Sequence, residues 1–128
     1  MPYLIIAAIV VAFIHVAFFL VETLFWHTTI FGHNVGTDIK KKLGPLADLP
    51  DTWASNQGVY NLFIALGVVW GFLHPNAEFG RQLLGFFGSC VMAAGLWGAY
   101  SVDYPKFLLF QTLPGTILLL LAVFRPAN

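Results

Sequence analysis

The charged residues of this chain leave four long stretches almost free of charge. These stretches are residues 4–26, 53–73, 82–100 and 107–124. Each is close to the ~20 residues that an α-helix needs to cross ~30 Å of hydrocarbon. The pattern predicts an all-α integral membrane protein, a single domain over residues 1–128 in which four transmembrane helices form a bundle and the first loop is the longest.

Composition supports this prediction. Apolar residues make up 59% of the 128 residues and charged residues 9%, against roughly 25% charged in average soluble proteins. A soluble domain of this size has a large surface to cover with polar side chains, and this chain has too few of them. The net charge is zero with six Lys and Arg, so no basic surface for nucleic acid is expected. A single cysteine, Cys90, excludes a disulfide within the chain.

The connections predict the topology. The second and third are only a few residues long, so the helices that they join are antiparallel neighbours. Residues 27–52 form a longer connection, predicted as an interfacial loop. Lys40, Lys41, Lys42 and Lys106 lie on the side of the first and third connections, and Arg81 and Arg125 lie on the other. Because basic residues favour the cytoplasmic side, the first loop is predicted to be cytoplasmic and both termini outside.

Polar side chains within the spans gather at the end nearest the first loop. Glu22 is the only formal charge inside a span. Because successive spans run in opposite directions, polar residues from all four spans are predicted to lie at similar depth. Seven residues before Glu22, or two helical turns, His15 shares its face about 10 Å deeper. The candidate site residues are Glu22, Trp26, Asn56, Gln57, Tyr60, Asn61, Tyr100, Gln111 and His15.

Glu22 is the group most expected to have a function. An unpaired carboxylate in hydrocarbon costs several kcal/mol, so Glu22 is expected to face the bundle interior, and intramembrane ionisable residues usually mark function. Its candidate partners are Asn56, Gln57, Asn61, Tyr100 and Gln111.

Simpler roles stand beside the functional ones. Glu22 lies near enough to the interface to reach headgroups, and interhelical amide bonds of Asn56 and Gln57 would clamp helices at about 1 kcal/mol each. His15 is favoured as a hydrogen-bonded packing residue.

No cofactor or metal is expected. The four histidines show no HExxH spacing and the chain has no CxxC pair, so zinc ligation lacks support. Nucleotide-binding and acyl-enzyme motifs are also lacking, since neither GxxxxGK[ST] nor GxSxG occurs.

The run from Asn56 to Gly67, NQGVYNLFIALG, resembles the most recognisable segment of a family of small four-helix membrane proteins, domain of unknown function 1304. Further matching pieces are Glu22 followed by Trp26, AGLWG at 94–98 and QTLP at 111–114. The first loop of this chain is somewhat longer than is usual in that family. The resemblance implies a four-helix membrane protein, mostly bacterial and hence of the inner membrane, with no settled activity.

Three functions are consistent with these residues. In the first, the polar pocket binds or transports a small molecule or ion, with Glu22 coupling to a proton or binding a cation. Its layout is like that of small multidrug exporters, although their motifs are lacking, and so short a chain is expected to dimerise to form a pathway.

The second is a membrane enzyme, an isomerase or hydrolase acting on a lipid-like substrate, with Glu22 as general acid or base and Asn56, Gln57, Tyr60 and Asn61 positioning the substrate. In the third, an accessory subunit, the polar cluster only sets helix register.

Overall fold

The computed structural model describes residues 2–30, 33–43, 51–101 and 103–124. The described residues are mostly helical, and they include one short hairpin of two strands with two residues each. The elements are α1 (Pro2–Phe19), continued by a first π-helical segment (Leu20–Leu24); strands β1 (Thr29–Ile30) and β2 (His33–Asn34), which pair antiparallel; α2 (Val35–Leu43); α3 (Asp51–Leu73); α4 (Ala77–Ser101); and a second π-helical segment (Leu108–Thr112), continued by α5 (Leu113–Val123).

The all-α prediction is confirmed. Within the described residues, three helices are long and apolar enough to cross a membrane: Pro2–Leu24, Asp51–Leu73 and Ala77–Ser101. The fourth apolar helix, Leu108–Val123, is shorter. Its 5 π-helical and 11 α-helical residues extend about 24 Å.

The helix boundaries lie within two residues of the predicted apolar stretches, except at the start of α4. The first helix ends at Leu24, and α4 begins at Ala77, ahead of residue 82. The early start of α4 follows from its cap: the Asn76 side-chain Oδ1 accepts a hydrogen bond from the Phe79 backbone N–H at 2.9 Å, which satisfies a donor that the first turn leaves unpaired. Hydropathy does not register such a cap, because the residues that form it are polar.

The four apolar helices form a ring in which each packs on two others: α1 on α3, α3 on α4, α4 on α5, and α5 on α1. We call the end that carries Pro2 and the turn at 74–76 the turn end, and the end that carries Leu24 and Asp51 the loop end. The buried apolar core lies toward the turn end and the middle of the bundle. Its members are Leu4, Ala7, Ala8, Val11, Val68, Leu84, Val91, Leu118 and Ala122.

The first connection is more structured than a plain interfacial loop. Its described part contains the β1–β2 hairpin, in which Ile30 pairs with His33, and the nine-residue helix α2. The Gly36 backbone N–H donates to the Trp26 carbonyl oxygen at 2.9 Å. The start of α2 is therefore fixed against Trp26, two residues after the end of the first helix.

Candidate functional site

The carboxylate of Glu22 is paired with an amide of α3. Its Oε2 accepts a hydrogen bond from Asn61 Nδ2 at 2.8 Å, and the same nitrogen also donates to the Gln57 carbonyl oxygen at 3.1 Å. Both side chains are half-buried. Asn61 was one of five candidate partners, and the expectation that Glu22 finds its partner among them is confirmed.

A glycine lets α1 and α3 approach closely enough to form this pair. Gly58 lies one turn from Asn61, and a Cβ at this position would overlap with Thr23 Oγ1 and lie 3.2 Å from the Glu22 Cβ. Thr23 Oγ1 donates to the Ser55 carbonyl oxygen at 3.3 Å. Two polar contacts therefore join the two helices on either side of a glycine.

Both π-helical segments carry a candidate site residue. Glu22 lies in Leu20–Leu24 and Gln111 in Leu108–Thr112. A π-helical turn holds an extra residue, which changes the direction in which side chains point, and such turns are frequent at functional sites. Gln111 is half-buried, with its Cβ close to Gly95. Beside it, Thr112 Oγ1 is buried and has no hydrogen-bond partner among the described residues.

The close contacts of α3 with α4 at glycines lie at the turn end. Near the turn end, a Cβ on Gly67 would overlap with the Phe87 ring, and one on Gly71 would lie 3.1 Å from the Gly80 carbonyl oxygen. Residues spaced alternately three and four apart share one face of a helix, so the same two faces can be followed toward the loop end. We call these two stripes, which meet at the turn end, the α3/α4 seam: Gly71, Gly67, Ile64, Tyr60, Gln57 and Trp53 on α3, and Leu83, Phe87, Cys90, Ala94, Trp97 and Ser101 on α4.

Exposure along the seam changes halfway. On α3 the two glycines are buried and Ile64 is half-buried, whereas the last three residues, ending at Trp53, are exposed. On α4 the first three are half-buried and the last three, ending at Ser101, are exposed. The seam is therefore covered at the turn end and exposed at the loop end, and we call its exposed half, Tyr60, Gln57 and Trp53 with Ala94, Trp97 and Ser101, the open part of the seam. Asn61 lies on the same turn of α3 as Tyr60 and Gln57, so the Glu22–Asn61 pair lies at the same level of the bundle as the open part of the seam.

The polar residues do not all converge, which corrects the predicted single cluster. Asn56 and Tyr100 are exposed and lie outside the seam. Asn56 is about 140° round the helix from Asn61 at ~100° per residue, so both cannot face α1. Tyr100 is about 180° round α4 from the buried Val91 and is 80% exposed. Similar depth in the bundle therefore does not bring these side chains together.

His15 has a packing role. Its side chain is 2% exposed, and its Nδ1 donates to the Val11 carbonyl oxygen at 2.8 Å on the same helix. The edge of its ring contacts Phe18, with the ring centroids 6.0 Å apart. This arrangement matches the hydrogen-bonded packing residue that the sequence favoured.

Trp26 belongs to a second polar group, which the sequence did not indicate. Its indole is 7% exposed, and its Nε1 donates to Asp51 Oδ1 at 2.9 Å. Lys40 of α2 pairs with the same carboxylate. A Cβ on Gly36 would lie 2.7 Å from the indole nitrogen. Asp51 comes just before the second apolar stretch, and that position was the only signal that could have suggested its role.

Two grooves lie far from Glu22, at the turn end. One, of about 500 Å³, is lined by residues including Arg81, Phe86 and Leu119. The other, of about 450 Å³, is lined by residues including Leu4 and His74. Among the described residues, no group of three His, Cys, Asp or Glu side chains is placed to hold a metal ion.

Comparison with known proteins gives a family but no activity. The model of a family described as "Protein of unknown function (DUF1304)" matches residues 9–123. No curated protein and no solved structure matches the chain.

Proposed function

Since the chain belongs to the DUF1304 family, whose description assigns no function, we propose a function from the site itself: Glu22 binds a small molecule or ion within the membrane, for transport. In this proposal four helices cross the bilayer, and the open α3/α4 seam gives access to the carboxylate. The single observation that carries it is the half-buried Glu22, held by Asn61 at the level of that opening.

The outer surface supports insertion in a bilayer. Large apolar side chains are exposed on every long helix, among them Phe13 at 72%, Phe63 at 56%, Phe86 at 60% and Leu120 at 47%. Soluble monomers rarely expose continuous apolar surface of this extent. The fourth helix, at about 24 Å, is shorter than the ~30 Å hydrocarbon layer, and local thinning of the bilayer accommodates such a mismatch at modest cost.

The basic residues support an orientation. Lys40, Lys41, Lys42 and Lys106 belong to the loop end, and Arg81 belongs to the turn end, while Arg125 lies outside the described residues. Under the positive-inside rule the loop end, with the opening of the seam, faces the cytoplasm.

The second oxygen of Glu22 supports a binding role. Asn61 occupies Oε2, and no described residue donates a hydrogen bond to Oε1. A carboxylate kept only for helix packing would gain from satisfying both oxygens, since a polar atom without a partner is costly in a low-dielectric environment. Oε1 is therefore the proposed contact to the ligand.

Native mass spectrometry in lipid nanodiscs tests the proposal. We expect a small molecule or specific lipid to remain bound to the wild-type protein and to be lost from Glu22→Gln. The matched control is Asp103→Asn, an exposed acid at the loop end whose positive φ of 51° suits asparagine. A ligand retained equally by all three proteins would contradict a binding role for Glu22.

A structural role is the second candidate, favoured by the two hydrogen bonds that join α1 and α3, Asn61 to Glu22 and Thr23 to Ser55. If that role is correct, Glu22→Gln lowers the melting temperature and changes nothing else. For a transporter the flux in proteoliposomes loses its pH dependence while the protein stays folded. For the enzyme alternative turnover collapses while binding is kept.

A further inference from the structure

The open part of the α3/α4 seam is rich in aromatic rings. Trp53 is 56% exposed and Tyr60 58% exposed on α3, and Trp97 is 69% exposed on α4. They share the seam with the smaller side chains of Ala94 and Ser101. Aromatic rings attract cations through their negatively charged faces, an attraction that grows where water is excluded.

Glu22 has no cationic partner within the described part of the protein. Three of the four lysines of the loop end have other contacts: Lys40 pairs with Asp51, Lys41 lies 3.9 Å from an Asp38 oxygen, and Lys106 lies over the Tyr104 ring at 5.8 Å. The seam stripes themselves contain no Lys, Arg or His. The carboxylate therefore has an amide partner but no charge to balance it.

We propose that the ligand of the Glu22 site is a hydrophobic organic cation that enters through the open part of the α3/α4 seam. This inference rests on the binding function proposed above and specifies its ligand class. The positive group pairs with Glu22 Oε1, and the apolar body lies between the rings of Tyr60 and Trp97. Because the seam opens on the outer surface of the bundle, a ligand dissolved in the bilayer reaches the carboxylate without crossing the apolar core.

Other ligand classes fit less well. An anion would be repelled by the ionised carboxylate and would meet no Lys or Arg in the seam. A neutral acyl chain would need no carboxylate. A small hydrated metal ion would need several oxygen ligands, whereas the described residues around Glu22 offer one carboxylate and neighbouring amides.

A pair of probes with the same shape and opposite charge tests this class directly. Tetraphenylphosphonium and tetraphenylborate are each dialysed against the full-length protein in neutral phosphatidylcholine nanodiscs, with empty nanodiscs subtracted. We expect saturable binding of the phosphonium and none of the borate. Glu22→Gln should weaken phosphonium binding at least about tenfold, and Tyr60→Leu or Trp97→Leu about three- to tenfold.

Two variants serve as controls. Trp70→Leu removes an aromatic side chain that is 54% exposed on α3 but lies toward the turn end, so its binding should equal that of the wild type. Glu22→Asp keeps the negative charge, so we expect it to bind the phosphonium in preference to the borate. That result would show that Glu22→Gln weakens binding because it removes the charge and not because it disturbs the fold.

Each result decides between the proposals. Equal binding of both probes, or phosphonium binding unchanged in Glu22→Gln, overturns the cation inference. If native mass spectrometry finds a Glu22-dependent ligand while the phosphonium does not bind, the cation inference fails and the binding function stands. If neither experiment finds Glu22-dependent binding, both fail.

Discussion

Gly58, which lies in the run NQGVYNLFIALG at 56–67, has a specific structural role. It brings the backbone of α3 against Thr23 and Glu22, and the Glu22–Asn61 bond depends on that approach. Interhelical contacts in membranes favour small residues for this reason, since close packing replaces the hydrophobic driving force.

The Gly58→Ala substitution is therefore expected to destabilise the protein. The added Cβ overlaps with Thr23 Oγ1, so Thr23 must rotate and lose its bond to Ser55, or α1 must move away. We expect a loss of about 1–3 kcal/mol relative to Gly85→Ala, measured by thermal unfolding in detergent. Gly85 is a matched control because its Cβ would meet only the Ala122 Cβ at 3.5 Å, and both changes gain the same helix propensity. Equal stability of the two variants would refute the close approach.

The position of Trp26 along the chain does not reveal which residue its indole contacts. Trp26 was a candidate for the Glu22 site, but its nitrogen bonds Asp51 and its ring lies against Gly36. An indole has one hydrogen-bond donor. Because that donor bonds to Asp51, Trp26 belongs to the polar group of Asp51 and Lys40 and cannot also donate to Glu22. Its role is to connect the end of the first helix to α3 and α2.

At the scale of elements, the α3/α4 contact is set by three glycines at the turn end. Gly67 accommodates the Phe87 ring, and Gly71 and Gly80 bring the two backbones together. The α3 stripe has no glycine at its loop end, where the larger side chains of Tyr60, Gln57 and Trp53 are exposed. The sequence contained this asymmetry, but only the partner helix reveals that the stripe faces α4.

Gly80→Ala should separate α3 from α4. The new Cβ would overlap with the Gly71 carbonyl oxygen, and a backbone atom cannot rotate away as a side chain can. We expect a loss of about 2–3 kcal/mol of unfolding free energy, seen as a lower melting temperature by circular dichroism. Gly98→Ala, whose Cβ would lie 3.4 Å from the Phe107 ring, is the comparison. A melting temperature for Gly80→Ala at or above that of Gly98→Ala would show that the two backbones are not in contact.

The π-helical segments are the elements that sequence analysis could not indicate. Hydrophobic periodicity reports a helix but not the insertion of one residue into a turn, because apolar residues surround both segments on all sides. Glu22 and Gln111 were predicted at the same end of the bundle, but their rotation about the helix axis depends on these turns.

At the scale of the whole molecule, the ring of four helices with an apolar exterior is what a bilayer requires. In the proposed arrangement the helices cross the bilayer, so the turn end lies on one side of the membrane and α2 on the other. Topology is therefore a property of the complete bundle and is tested by labelling both sides.

In a Cys90→Ser background, we expect Ala77→Cys to react with a membrane-impermeant maleimide in intact cells. Thr37→Cys should react only after permeabilisation, because α2 is proposed to be cytoplasmic. Both positions are exposed, so differences in reactivity report on the side of the membrane. The reverse pattern would invert the proposed orientation, and labelling of both in intact cells would contradict a membrane-spanning bundle.

The amino-acid sequence by itself determined the helical class, the family and the end of its helix at which each polar residue lies, since these depend on local hydropathy and on residue order along a rigid repeat. The tertiary structure alone decided which polar groups meet. Glu22 pairs with Asn61, Trp26 with Asp51, and Asn56 and Tyr100 lie outside. The physical reason is that side-chain encounters depend on the rotation and separation of neighbouring helices. Those are set by contacts such as Gly58 with Thr23 and Gly67 with Phe87, between residues far apart in the chain.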